Sequence, residues 1–190
     1  MNYYIADTHF GHENILRLSK RPFKTVEEMD ETIINNWNDR VKDTDDIYIL
    51  GDFSFKSKDP ISYLKRLKGR KHLIVGNHDG ALLKNPASRK YFVEIVDMKS
   101  INDNGTQVFC CHYPLVEWPG YYRNTIHFYG HVHNTFHNET TQYASGMKNA
   151  YNVGVDIIGF VPRTLKEIIS LVSNYSKQDK IKQGGNYGQL

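Results

Sequence analysis

The chain has 190 residues, 39% of them hydrophobic and 24% charged, which excludes a disordered polymer and suits one domain with its own core. Twenty-four Lys and Arg against 21 Asp and Glu give a formal charge of +3, and no block of like charges concentrates it, so charge does not point to nucleic acid. No apolar run approaches the ~20 residues of a membrane span, and a strand pattern begins at once, which leaves no room for an export signal; a cytoplasmic protein without a membrane partner is expected.

Asn2 to Ala6 reads as a short apolar strand ending in Asp7-Thr8-His9. A helix begins after Thr25, which forms a capping box with Glu28, and Met29, Ile33, Trp37 and Val41 recur every four residues along one face. Asp45-Asp46 breaks that pattern, and Ile47 to Leu50 is a second buried strand running into Gly51-Asp52. Pro60 opens a short helix over Ile61 to Leu67, and a third strand, His72 to Val75, ends in Gly76-Asn77-His78-Asp79. This alternation predicts a parallel α/β sheet.

The second half differs. Val93 to Ile101 alternates unevenly, Asp103-Asn104-Gly105 is a turn, and Gln107 to Cys111 is a strand, which predicts a hairpin. Adjacent Cys110 and Cys111 point to opposite strand faces, so they read as small apolar residues in a reducing compartment rather than a disulfide. Short strands follow at Thr125 to Tyr129 and Ala150 to Val155. A closing helix capped by Thr164 and Glu167 runs to about Asn174. Residues 1–175 are expected to form a single domain, with 176–190 a polar, flexible tail.

One feature recurs: an apolar strand ends, and metal-type side chains follow it. Asp7 and His9, Asp52, Asn77, His112, and the His131 and His133 of Gly130-His131-Val132-His133 all stand in that place. Ligands of an open α/β sheet gather beyond the carboxyl ends of its strands, so these loops can converge. Their oxygen and nitrogen donors suit Mn, Fe, Zn or Ni alike, with no thiolate to favour a softer metal, and Mn is the cation expected first. Asp7 and His9 are two apart and project to one side of an extended segment, as do His131 and His133. Two such clamps bridged by Asp52 would hold two divalent cations about 3.5–4 Å apart.

In that order the motifs Asp7-x-His9, Gly51-Asp52, Gly76-Asn77-His78-Asp79, a lone His112 and Gly130-His131-x-His133 resemble the calcineurin-like metallophosphoesterases over residues 7–133. The resemblance implies an α/β sandwich of two mixed sheets flanked by helices. It implies that Asp7, His9 and His133 hold one metal, Asn77, His112 and His131 the second, and that Asp52 bridges them. It also implies that a hydroxide shared by the cations attacks a phosphodiester or phosphomonoester, with His78 as general acid and Asp79 orienting it. The expected protein is thus a hydrolase, a phosphodiesterase or phosphatase with a dinuclear centre. A nucleotide or nucleic-acid substrate is compatible with the family but not indicated by the charge. The competing reading is a catalytically weak scaffold or interaction module that keeps the fold.

His12, just beyond the first clamp, could touch substrate or merely open the next helix. Asn14, Arg17 and Arg21 fit a solvated helix face better than a phosphate contact. The aromatic stretch 113–122 could wall the site or pack in the core. His72, His127 and His137 have no motif context.

Overall fold

The computed structural model describes residues 1–135 and 139–171. The strands of these residues form two four-stranded sheets. In the first, β1 (Asn2–Ile5), β2 (Asp46–Leu50), β3 (Arg70–Ile74) and β4 (Phe92–Val96) lie side by side in that order and run parallel. In the second, β5 (Met98–Asp103) and β6 (Thr106–Cys111) form an antiparallel hairpin, and β6, β7 (Ile126–Tyr129) and β8 (Ala150–Asn152) run parallel. The helices are α1 (Ile15–Leu18), α2 (Val26–Arg40), α3 (Pro60–Arg66), α4 (Gly80–Lys84), α5 (Pro86–Arg89), α6 (Glu139–Gly146), α7 (Val155–Ile158) and α8 at 165–171.

Residue parity explains how the layers stack. In β1 to β3, Tyr3, Ile5, Ile47, Ile49 and Leu73 face α2 and its neighbours, whose Met29, Ile33, Ile34 and Trp37 are buried against them. Tyr4, Tyr48, Leu50 and Ile74 point the other way, onto Val108, Cys110, Ile126 and Phe128 of the second sheet. Phe109, Cys111 and Tyr129 cover that sheet's far side with Trp118 and Ala144. Side chains alternate along a strand, so each sheet serves two cores at once. The two cysteines are free and lie in different cores.

The expected α/β architecture is present, with two refinements. Only the second sheet is mixed among its named strands; the first meets an antiparallel neighbour at the Tyr4–Arg163 bridge beside β1. The uneven segment from Val93 to Ile101 is two strands, and the break at Asp97 carries the chain from one sheet to the other.

Local signals decide the element ends. Thr25 accepts from the Glu28 N–H at 3.1 Å, while the Glu28 carboxylate reaches back to Lys24 N at 2.8 Å, one residue before the position a strict capping box would use. Asp59 caps α3, with Pro60 at its first turn. At the start of α8 the Thr164 N–H and hydroxyl both donate to the Glu167 carboxylate, at 2.9 and 3.0 Å, which is one half of the expected second box. The hairpin turns on Asn104 and Gly105, both at positive φ, the geometry that matches strand twist. The expected helix end near Asn174, the tail 176–190 and His137 lie outside the described residues.

Candidate metal centre

Because β1, β2 and β3 are parallel neighbours, the residues after them emerge along one edge: Asp7 and His9, Asp52, then Asn77 and His78. Parallel β6 and β7 deliver His112 and His131 at the corresponding edge of the second sheet. The His131 N–H donates to both oxygens of Asp7, at 3.1 and 2.9 Å, tying the two sheets together at the site.

The backbone is held in an unusual state here. Asp7, His9, Asp52, His131 and His133 all have positive φ, between 48° and 70°. Non-glycine residues seldom adopt that region, and such strain gathers where surrounding structure enforces it, as at ligand clamps. Glycines let the loops approach. A Cβ on Gly51, whose φ is +81°, would lie 2.5 Å from His112 Nδ1 and 2.6 Å from Gly76 Cα. One on Gly130 would lie 2.6 Å from an Asp7 oxygen.

The donors converge. Ligand atoms of Asp7, His9 and His133 lie within 4.8 Å of one another, and so do those of Asp7, Asp52 and His112. Asp52 Oδ2 stands 3.6 Å from His9 Nε2 and 3.6 Å from His112 Nε2, with His78 Nε2 at 4.0 Å. These gaps are too wide for hydrogen bonds. They match two donors on one cation, which bonds of ~2.1 Å place roughly 3.0–3.6 Å apart. Asn77 Oδ1 lies 3.1 Å from His112 Nε2 and 3.0 Å from His131 Nδ1, which gathers the second trio.

The fit to a metal is tested by His9. Its ring is 2% exposed, yet neither nitrogen has a hydrogen-bond partner. A buried, unpaired imidazole nitrogen is costly, by about 1–3 kcal/mol, and a cation coordinated there removes the deficit at the atom it binds. Other rings are held in orientations that would suit a cation. His112 Nδ1 lies 2.7 Å from the Leu50 carbonyl and His133 Nδ1 2.9 Å from Asp156. With Nδ1 donating, the neutral form of either ring keeps its lone pair on Nε2, the tautomer a metal would need.

Electrostatics agree. Burial pushes the Asp7 carboxyl up to about 6, against the opposing pull of His133 and His112. Burial, reinforced by His133 and Arg21, drives the His9 pKa far down, and burial with His78 lowers His12 to about 4. Burial lowers His131 as well. Burial also opposes charge on His133, but the Asp156 hydrogen bond and the Asp7 carboxylate outweigh it and raise the pKa. The buried Asp7 carboxyl beside a His9 ring that resists a proton makes a place that positive charge would favour, and divalent cations could supply it.

Every expected ligand is therefore brought to one place, and His12 joins it, its ring centroid 5.4 Å from that of His9. Asp79 sits differently from the expectation. Its fully buried carboxylate accepts the N–H groups of Asp52 at 3.0 Å, Phe53 at 2.9 Å and Gly76 at 2.8 Å, so it locks two ligand loops together. Burial raises it to about 6 despite those bonds. His78 is half-buried, its N–H held by Asp52 Oδ1 at 2.8 Å and its ring edge-on to Phe55 at 4.3 Å.

Arg21 corrects the surface reading. It is 5% exposed and donates to the Asp7 carbonyl at 2.7 Å, the Thr8 carbonyl at 2.9 Å and both oxygens of Asp156. Arg21–Asp156–His133 is a largely buried chain that orients one candidate ligand, and sequence reasoning missed it. Asp156 lies in the first turn of α7, four residues past β8, and its only sequence signal is an acid soon after an apolar strand. His72 instead serves the fold, set between Asp46 at 2.7 Å and Glu94 at 2.6 Å. His127 does likewise, between the Phe109 carbonyl and the Leu115 N–H.

No family model matches the chain. It is 34% identical over 173 residues to the uncharacterised protein MJ1445 of Methanocaldococcus jannaschii, covering 90% of each. It is also 34% identical over 82 residues to the gene 66 protein of Mycobacterium phage L5, covering 41% of this chain and 39% of that one. The crystal structure of AQ665 from Aquifex aeolicus, a protein of unknown function, superposes with a TM-score of 0.70 and 31% identity, over 90% of this chain and 98% of that one. With its strand-end ligands built on a framework shared nearly end to end, the chain belongs to the family of MJ1445 and AQ665.

Proposed function

We propose that the protein is a metal-dependent phosphoric ester hydrolase acting on a phosphodiester or phosphomonoester, with two divalent cations, Mn foremost. The observation that carries this reading is the Asp52 oxygen ringed by three imidazole nitrogens at 3.6–4.0 Å, beside a buried His9 without hydrogen-bond partners. Asp7, His9 and His133 would hold one cation and Asn77, His112 and His131 the other, with Asp52 between them. Bound there, the pair supplies an activated water and neutralises charge on the phosphoryl oxygens. His78 stands at the rim, where its Nε2 can hand a proton to the departing oxygen. His12 lines the approach, and Asp79 keeps the Asp52 and Asn77 loops in register.

The test is purified protein with Mn²⁺ and the chromogenic substrates bis(p-nitrophenyl) phosphate and p-nitrophenyl phosphate. Wild type should turn over at least one of them. Asp52→Asn should lose at least ~100-fold in kcat/KM, and His78→Ala about 10²–10⁴-fold on substrates with a poor leaving group. Stoichiometric metal without turnover of any ester, tried with Mn, Fe, Zn and Ni, would sink the reading and favour a scaffold.

A further inference from the structure

A cavity of about 350 Å³ opens beside the candidate metal centre, with Tyr113, Pro114, the segment His131 to His133, Thr135 and Thr140 in its lining. Tyr113 is 43% exposed, yet its position is fixed: its ring packs edge-on against His112 at 5.0 Å and His131 at 4.7 Å. An aromatic ring anchored on two ligand histidines and otherwise open to a cavity is a preformed stacking surface, since rings of this kind prefer a partner over their face. Its neighbours in the 113–122 stretch do something else, because Trp118 and Tyr121 pack into the core outside the second sheet.

The chemistry of the lining narrows the occupant. Among the described residues that line the cavity there is no carboxylate, lysine or arginine. Two threonine hydroxyls, a tyrosine and a proline suit an uncharged, planar, hydroxylated group. The volume falls within the range of small-molecule pockets, roughly 300–1,000 Å³.

The cavity also lies apart from the acid. His78 belongs to a different wall, in which Phe55 packs edge-on against both His12 at 4.6 Å and His78 at 4.3 Å, and none of those three lines the cavity. The leaving oxygen must face His78, so the Tyr113 cavity is free for the other substituent on phosphorus. A monoester has no such substituent; a diester does.

We infer that the Tyr113 cavity is a subsite for the non-leaving ester arm of a phosphodiester, and that this arm is a nucleoside stacked on Tyr113. This rests on the phosphoester reading above. Water adds to phosphorus, the bond to the leaving oxygen on the His78 side breaks, and the nucleoside stays on phosphorus as the product monophosphate.

Two diesters with the same leaving group isolate the effect: thymidine 5′-(p-nitrophenyl phosphate) and methyl p-nitrophenyl phosphate, assayed with Mn²⁺. Both release p-nitrophenolate, so their ratio of kcat/KM reads the second arm alone. Wild type should favour the thymidine diester about tenfold, the scale of one base on one aromatic ring. Tyr113→Ala should bring the ratio close to one and Tyr113→Phe should keep it. A wild-type ratio near one, or a Tyr113→Ala protein that slows both substrates and leaves the ratio intact, overturns the subsite. Calorimetric binding of thymidine 5′-monophosphate and methyl phosphate to Mn-loaded protein separates the two failures. Tighter thymidine binding that Tyr113→Ala abolishes, in a protein that hydrolyses neither diester, removes the hydrolase reading and keeps the subsite. Equal binding of the two phosphates removes the subsite whatever the turnover.

Discussion

Asp7 is fully buried, and in the metal-free protein burial lifts its carboxyl to about 6. A cation requires the ionised form, so protons and metal compete at this residue. Mn²⁺ affinity measured by calorimetry is therefore expected to fall as the pH drops through 6, by about tenfold per unit below it, with proton release on binding. An affinity flat from pH 7 to 5 would remove Asp7 from the ligand set. His133 depends on a neighbour in another way. Asp156 takes its Nδ1 hydrogen, and Arg21 holds Asp156 through two bonds. Asp156→Ala should weaken Mn²⁺ binding about 10–100-fold while the circular dichroism spectrum stays native. Unchanged affinity would show that the ring keeps its aim without the carboxylate. The candidate ligands were legible because they stand, singly or in pairs, just after the ends of β1, β2, β3, β6 and β7. Arg21 was not, because its partner is 135 residues away and nothing local distinguishes it from an exposed helix arginine.

Among the elements, the turns after β2 and β3 must nearly touch for Asp52 and Asn77 to share a site. Gly51 makes that approach, at a φ of +81° and with no room for a Cβ. Gly51→Ala should cost about 2–5 kcal/mol of stability in urea denaturation, from backbone strain plus overpacking. It should also weaken metal binding, because the methyl group meets His112. A cost under ~1 kcal/mol would mean that these loops relax more easily than their packing suggests. The caps and the period-four face of α2 were readable because helix periodicity and capping chemistry are local. Short α1, α4 and α7 were not, since four or five residues carry too little pattern to separate a helix from a turn. The unevenly alternating segment from Val93 to Ile101 hides two strands, because strand pattern alone says nothing about which sheet a strand joins.

For the whole molecule, the consequence is that the site joins two layers. Asp7, Asp52 and Asn77 come from the edge of the first sheet, and His112, His131 and His133 from that of the second. Cations held there would pin the sheets together at one end and bind only the folded chain. Mn²⁺ at about a hundred times its dissociation constant should then add ~2.7 kcal/mol. That raises Tm by roughly 5–10 °C in a protein of this size, a shift read by differential scanning fluorimetry. EDTA should reverse the shift, and His9→Ala should lack most of it; an identical rise in that variant would place the metal elsewhere. The sequence by itself determined the strand-helix alternation, the ligand types and their places at strand ends, because periodicity, caps and turn residues act over a few neighbours. Only the tertiary structure decided that Phe92–Val96 joins the first sheet and Met98–Asp103 the second, that Asp79 braces backbone, that Arg21 is buried and that Tyr113 faces a cavity. Each of those depends on which distant segments pack together, and contacts across a hundred residues leave no local periodicity to read.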